Sequence, residues 1–133
     1  MATEILVNDG GAPARILPFV AGVTITAGMP VMVSATTGKI EGVDASFALT
    51  GFALNAAAAD EMVNVITGSG IIVRALVVTS CAIGDYCVTD AGKLERTANA
   101  GTAGATGTNS DVVAIALEAN ATGSDALTKV LVI

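Results

Sequence analysis

The stretch "AGMPVMVSATTGKIEG" (residues 27–42) decides how the chain is read, because "IGDYCVTDAGKLER" (83–96) nearly repeats it. In the first, Gly28 precedes Val31 and Val33, which alternate with Met32 and Ser34, and a turn at 35–38 restarts at Lys39-Ile40-Glu41. In the second, Gly84 precedes Tyr86 and Val88, and Gly92-Lys93-Leu94-Glu95 follows the turn. Further along, Thr50-Gly51-Phe52-Ala53-Leu54-Asn55, an Ala-rich stretch and Asp60-Glu61-Met62-Val63 complete one copy. Val113-Ala114-Ile115-Ala116-Leu117-Glu118, a small-residue stretch and Asp125-Ala126-Leu127-Thr128 complete the other. The order and approximate spacing agree, which implies an internal duplication with units at about 24–78 and 79–133.

The repeat also settles a helix-or-strand ambiguity. "LNAAAADEMVNV" (54–65) alone would pass for a helix, since Ala is the best helix former. Its counterpart "LEANATGSDALTKV" (117–130) carries Asn, Thr, Gly and Ser where that helix would run, so a loop or single turn between strands fits both. Composition agrees: 16 Val, 10 Ile and 15 Thr outnumber 9 Leu, and branched Cβ atoms favour a pleated surface over a helix. "GSGIIVRALVVTS" (68–80) reads as a long strand with Arg74 as its one solvated or paired cation. The expected fold is all-β: eight to twelve short strands in a small antiparallel β-barrel or β-sandwich, of β-tulip or jelly-roll kind, the two copies making facing halves.

Two segments stand apart from the repeat. Residues 1–23 join Ile5-Leu6-Val7, a dense turn signal (8–13) and Arg15-Ile16-Leu17-Pro18-Phe19. Pro13 and Pro18 forbid a helix and would spoil a central strand, so this is an extended N-terminal arm or edge strand preceding a single β domain at 24–133. Residues 97–111 contain no large side chain and are expected to form an exposed loop.

Charged residues are 14% of the 133, well below the roughly 25% of an ordinary soluble domain. No window offers the roughly 18 uncharged apolar residues of a spanning helix, and Glu4 and Asp9 sit where a signal peptide would be basic. The charge deficit therefore points to a surface covered by partner subunits. A net charge of −6 and four aromatic residues argue against nucleic acid.

Chemistry is hard to place in this chain. With no His, the Ser-His-Asp and Cys-His arrangements and most zinc sites are impossible. Ser69 lacks both the phosphate-loop ending and the G-x-S-x-G spacing, and reads as a hairpin turn. Asp60-Glu61 reads as a solvated turn, and Asp85, Asp90 and Asp111 lack calcium-loop spacing. Cys81 and Cys87 read as two buried thiols on one face. Asn120-Ala121-Thr122 matches a glycosylation acceptor, with little weight absent a secretion signal. No catalytic, metal or cofactor residue is expected, and the chain reads as a structural or binding protein, not an enzyme.

Four stretches, "NDGGAPARILPFVAGVTITAGMPVMVS" (8–34), "TGFALNAAAADEMVNVITGSGIIV" (50–73), "GDYCVTDAGKLER" (84–96) and "AIALEANATGSDALTKVLVI" (114–133), resemble the small capsid decoration (cement) proteins of tailed bacteriophages. Met29-Pro30 departs from that family's frequent Gly-acidic turn, whereas Gly84-Asp85 keeps it. The resemblance implies a protein bound to the outer surface of the virion head after assembly in the host cytoplasm, stabilising contacts between major capsid subunits. It also implies self-association, with a trimer expected ahead of a dimer; composition and charge, for their part, lead one to expect no membrane or nucleic-acid partner. The apolar arm residues Ile5, Leu6, Val7, Ile16, Leu17 and Phe19, with Arg15, are the candidate capsid or subunit interface. The rival readings are a head-fibre or tail-tube subunit and a cytosolic ligand-binding barrel.

Overall fold

A computed structural model describes residues 5–8, 14–43, 49–78, 81–96, 112–120 and 124–133. The strands are β1 (Leu6–Asn8), β2 (Arg15–Val20), β3 (Pro30–Val33), β4 (Ile40–Gly42), β5 (Gly51–Ala53), β6 (Met62–Thr67), β7 (Ile72–Val77), β8 (Tyr86–Asp90), β9 (Lys93–Arg96), β10 (Ala114–Ala116) and β11 (Ala126–Val132). The fold is all-β, with no helix among the described residues. The Ala-rich stretch is an extended passage whose Ala57 bridges Ile25, ending in a turn at Asp60. The expected loop at 97–111 lies outside the described residues.

The strands form two sheets, ordered β1-β7-β11-β10-β8-β9 and β2-β6-β5-β3-β4. With β1 set aside, the orders are the same pattern twice: β7, β11, β10, β8 and β9 stand where β2, β6, β5, β3 and β4 stand. Each sheet also closes on itself. Val77 pairs in parallel with Leu94, and Val78 N–H donates to Leu94 O at 2.9 Å. In the other unit Ala21 bridges Ile40 in parallel, and Gly22 N–H donates to Ile40 O at 2.7 Å. The result is two small five-stranded barrels in tandem, where the sequence suggested two facing halves of one.

The unit boundary also differs from the expected one. β2 belongs to the first unit, and β7, which the sequence reading placed at the end of the first copy, opens the second. The join is the bend at Gly68-Ser69-Gly70, where positive φ at Gly68 (143°) and Gly70 (79°) suits glycine; it carries the chain from one sheet to the other and so is not the hairpin expected at Ser69.

The correspondence extends to side chains. Gly28 and Gly84 hold φ of 84° and 87°, and their N–H groups donate to Ala53 O and Ala116 O, each at 2.8 Å. Lys39 pairs with Asp60, and Lys93 with Asp125. Asn55 Oδ1 accepts the Asn64 N–H at 2.8 Å, and Glu118 Oε1 accepts the Lys129 N–H at 2.9 Å. Glu118 also takes Arg74 at 2.8 Å, so the lone cation of the long strand is paired.

Each unit has its own core. Ala21, Ile25, Val31, Ile40, Ala53, Val63 and Val65 fill the first. Val73, Ala75, Val77, Cys87, Leu94, Ala114, Ala116 and Val130 fill the second. Phe52 and Ile66 point out of the first unit and join the second unit's core, which welds the two together. The weld continues where Leu76 N–H donates to Gly28 O at 2.9 Å and Gly92 N–H donates to Val43 O at 2.8 Å. Its close packing needs glycine: a Cβ on Gly28 would lie 2.3 Å from Leu127 Cδ2 and 2.9 Å from Arg74 O.

Candidate functional site

The candidate interface residues do not form one arm. Ile5 is buried, and its carbonyl accepts the Arg74 N–H at 2.7 Å. Leu6 and Val7 lie in β1, which adds to the edge of the chain's own β7 in the register Leu6↔Val73. The side of β1 that faces β7 is therefore paired within the chain, and β1 is itself the edge strand of that sheet. Arg15, Ile16, Leu17 and Phe19 lie on β2, the edge strand of the first unit, in register with β6 from Arg15↔Thr67 to Val20↔Met62. Phe19 packs half-buried against the first core. Ile16 is 55% exposed, and Leu17 is also exposed.

Pro18 sits on this edge for a backbone reason. The Ala21 N–H points inward, to Glu61 O. By strand alternation the amides of residues 16, 18 and 20 point outward, so proline at 18 forfeits no ladder bond.

Six of the exposed large apolar side chains fall in two groups, while Leu17, Val23, Val33 and Ile133 lie apart from them. At the β2 edge, Ile16, Val20 and Met62 share one face, since Ile16 sits opposite Ile66 and Val20 opposite Met62. On the second unit, Tyr86 sits opposite Ile115, Ile115 opposite Leu131 and Leu131 opposite Ile72, a cross-strand row on the outer face. Tyr86, Leu117 and Ile83 are its exposed members and neighbours. Composition hinted at such faces through the charge deficit, but only the strand registers show where they lie.

The remaining sequence candidates have structural roles. Cys81 and Cys87 are free thiols buried in the second core. Burial pushes the Cys87 thiol up to about 12, and burial also raises that of Cys81. Asn120 is buried, and its amide donates to the carbonyls of Val77, Val78 and Ser124 at 3.2–3.3 Å, so it is not presented for glycosylation. Asp60 and Glu61 are exposed in a turn, and Ser69 is exposed in the bend that links the two sheets. Among the described residues, no three His, Cys, Asp or Glu side chains gather as metal ligands. An open pocket of about 190 Å³ lies beside Thr50, Phe52, Thr67, Ser69 and Val132, and none of its lining side chains is ionisable.

No family model and no curated protein matches the chain. Among solved structures it is similar to the N base of the head fibre protein gp8.5 of bacteriophage phi29. The TM-score is 0.67 at 14% identity, covering 91% of this chain and 95% of that one. At that identity, the match establishes a shared fold. It spans both units, so the tandem arrangement is common to the two proteins.

Proposed function

We propose that the chain is a structural, non-enzymatic protein of a phage virion that sits on the outer surface of the head. The observation that carries this reading is the match, over nearly the full length of both chains, to the base of a phage head fibre. Two further features support it: the buried, unreactive placement of both thiols, and two exposed apolar faces on a chain of low charge. In this role the protein binds the major capsid protein after assembly in the host cytoplasm and stabilises contacts between capsid subunits.

A second reading is favoured by the same match: the chain is the capsid-proximal base of a fibre, anchoring it without reinforcing the shell. Heads prepared with and without the protein separate the two. The stabilising role predicts that heads lacking the protein lose their contents at lower temperature. The fibre-base role predicts occupancy with no change in head stability. Failure to bind heads at all would remove both.

A further inference from the structure

The contact between the two units is one-sided. The first unit presents the face that carries its Gly28 turn, and the second receives it on the edge of β7. Gly28 O takes the Leu76 N–H, Leu127 Cδ2 lies where a Gly28 Cβ would be, and Phe52 and Ile66 are buried. A two-fold relation between the units would repeat these contacts in reverse, from the Gly84 turn to the edge of β2. The chain does not make that reverse contact. Gly84 is exposed, with no atom within 4 Å of where its Cβ would stand. The interface is thus heterologous, and each half of it is left over once.

Most elements of the leftover halves are in place; the departure is Arg96, which stands in the second unit where Gly42 stands in the first. On the turn face of the second unit, Ile115 and Leu131 occupy the positions of Phe52 and Ile66, and Tyr86 that of Pro30. Pro30, Phe52 and Ile66 are buried in the internal contact, whereas Tyr86 is 43% exposed and Ile115 and Leu131 are partly so. On the edge face of the first unit, Val20 occupies the position of Leu76, Met62 that of Leu127 and Gly38 that of Gly92. Gly92 is buried against Gly42 and Met29, whereas Gly38 is exposed and Met62 is 59% exposed. Tyr86, Val20 and Met62, three of the exposed apolar side chains, thus stand where the internal contact covers their counterparts.

We infer that a second copy of this chain docks its Gly84 turn face onto the β2 edge face of the first, repeating between chains the contact that joins the units within one. The Val20 amide, which points outward by strand alternation, donates to the Gly84 carbonyl as the Leu76 amide does to Gly28. Asp85, which faces Arg96 in its own unit, replaces Met29 in the repeated contact and so arrives beside Gly38, next to the Lys39–Asp60 pair. Pro18 stands where Arg74 stands; lacking an N–H, it cannot take a β1-type strand, so the contact is centred on Val20 and Met62. A heterologous contact of this kind closes as a ring or runs on as a filament.

The test uses the full chain and two variants, Tyr86→Glu on the turn face and Met62→Glu on the edge face, with circular dichroism to establish folding. Ile83→Glu replaces Tyr86→Glu if the latter is misfolded. Sedimentation should show the parent chain as an assembly and each variant alone as a monomer. Mixed one to one, the variants should form a heterodimer and stop, because one retains an intact edge face and the other an intact turn face. A monomeric parent chain, variants that assemble like the parent, or a mixture that stays monomeric would each overturn the inference.

Discussion

Gly28 and Gly84 have nearly the same backbone conformation in opposite surroundings, so paired substitutions measure the internal weld directly. Alanine at either position adopts positive φ, at a cost of about 1–2 kcal/mol. At Gly84 that is the whole cost, since the space where the Cβ would stand is open. At Gly28 the Cβ would meet Leu127 Cδ2 at 2.3 Å and the Arg74 carbonyl at 2.9 Å. The leucine can swing aside, but the carbonyl belongs to a paired strand, and overpacking of this kind adds about 1–3 kcal/mol. Gly28→Ala should therefore lose about 2–5 kcal/mol and Gly84→Ala about 1–2 kcal/mol. Urea unfolding of both in a Met62→Glu background, where copies do not assemble, gives the comparison. Equal losses would mean that the Gly28 turn is not packed against the second unit. In the parent background, Gly84→Ala should also weaken self-association, because its Cβ would enter the repeated contact as that of Gly28 enters the internal one.

Other consequences are simpler to state. Asn120→Ala removes the buried amide that donates to the carbonyls of Val77, Val78 and Ser124 and should cost about 1–3 kcal/mol in denaturant unfolding, whereas the half-buried Asn55→Ala should cost less. Both thiols should resist a thiol reagent at neutral pH in the folded protein and react once it is unfolded. Because burial raises Cys87 from 9.0 to about 12, its contribution is complete below pH 9 and is lost as pH rises toward 12, so Cys87→Ala should flatten the alkaline fall in stability. Lys39→Met breaks an ion pair whose members are largely exposed and should shift stability by less than about 1 kcal/mol. Deleting residues 2–8 removes β1 and the buried Ile5, so it should lower the melting temperature even without a capsid present.

The sequence showed the duplication because its markers are backbone requirements. Gly28 and Gly84 are needed at positive φ, Gly38 and Gly92 shape the following turns, and Lys39 and Lys93 start the returning strands. Comparing the copies also removed the false helix at 54–65, since both copies must fit one backbone. The unit boundary was not legible. β2 shares no motif with β7: Pro18 stands where Arg74 stands, and the two strands correspond only in their pairing. The fate of Ile5–Val7 was equally hidden, because a short apolar run looks the same whether it covers its own sheet edge or another chain's. The exposed faces could not be located for a similar reason. Which of two alternating positions points outward depends on register, and Ile115 and Phe52 are indistinguishable in sequence although only Phe52 is fully buried.

The most direct test of the central claim is to image capsids assembled from the major capsid protein of the same genome after incubation with the purified chain. The account predicts density for the tandem barrels at regular lattice positions on the outer surface, and none on capsids left untreated. Bare capsids at saturating protein, or density confined to the interior or the tail, would contradict it.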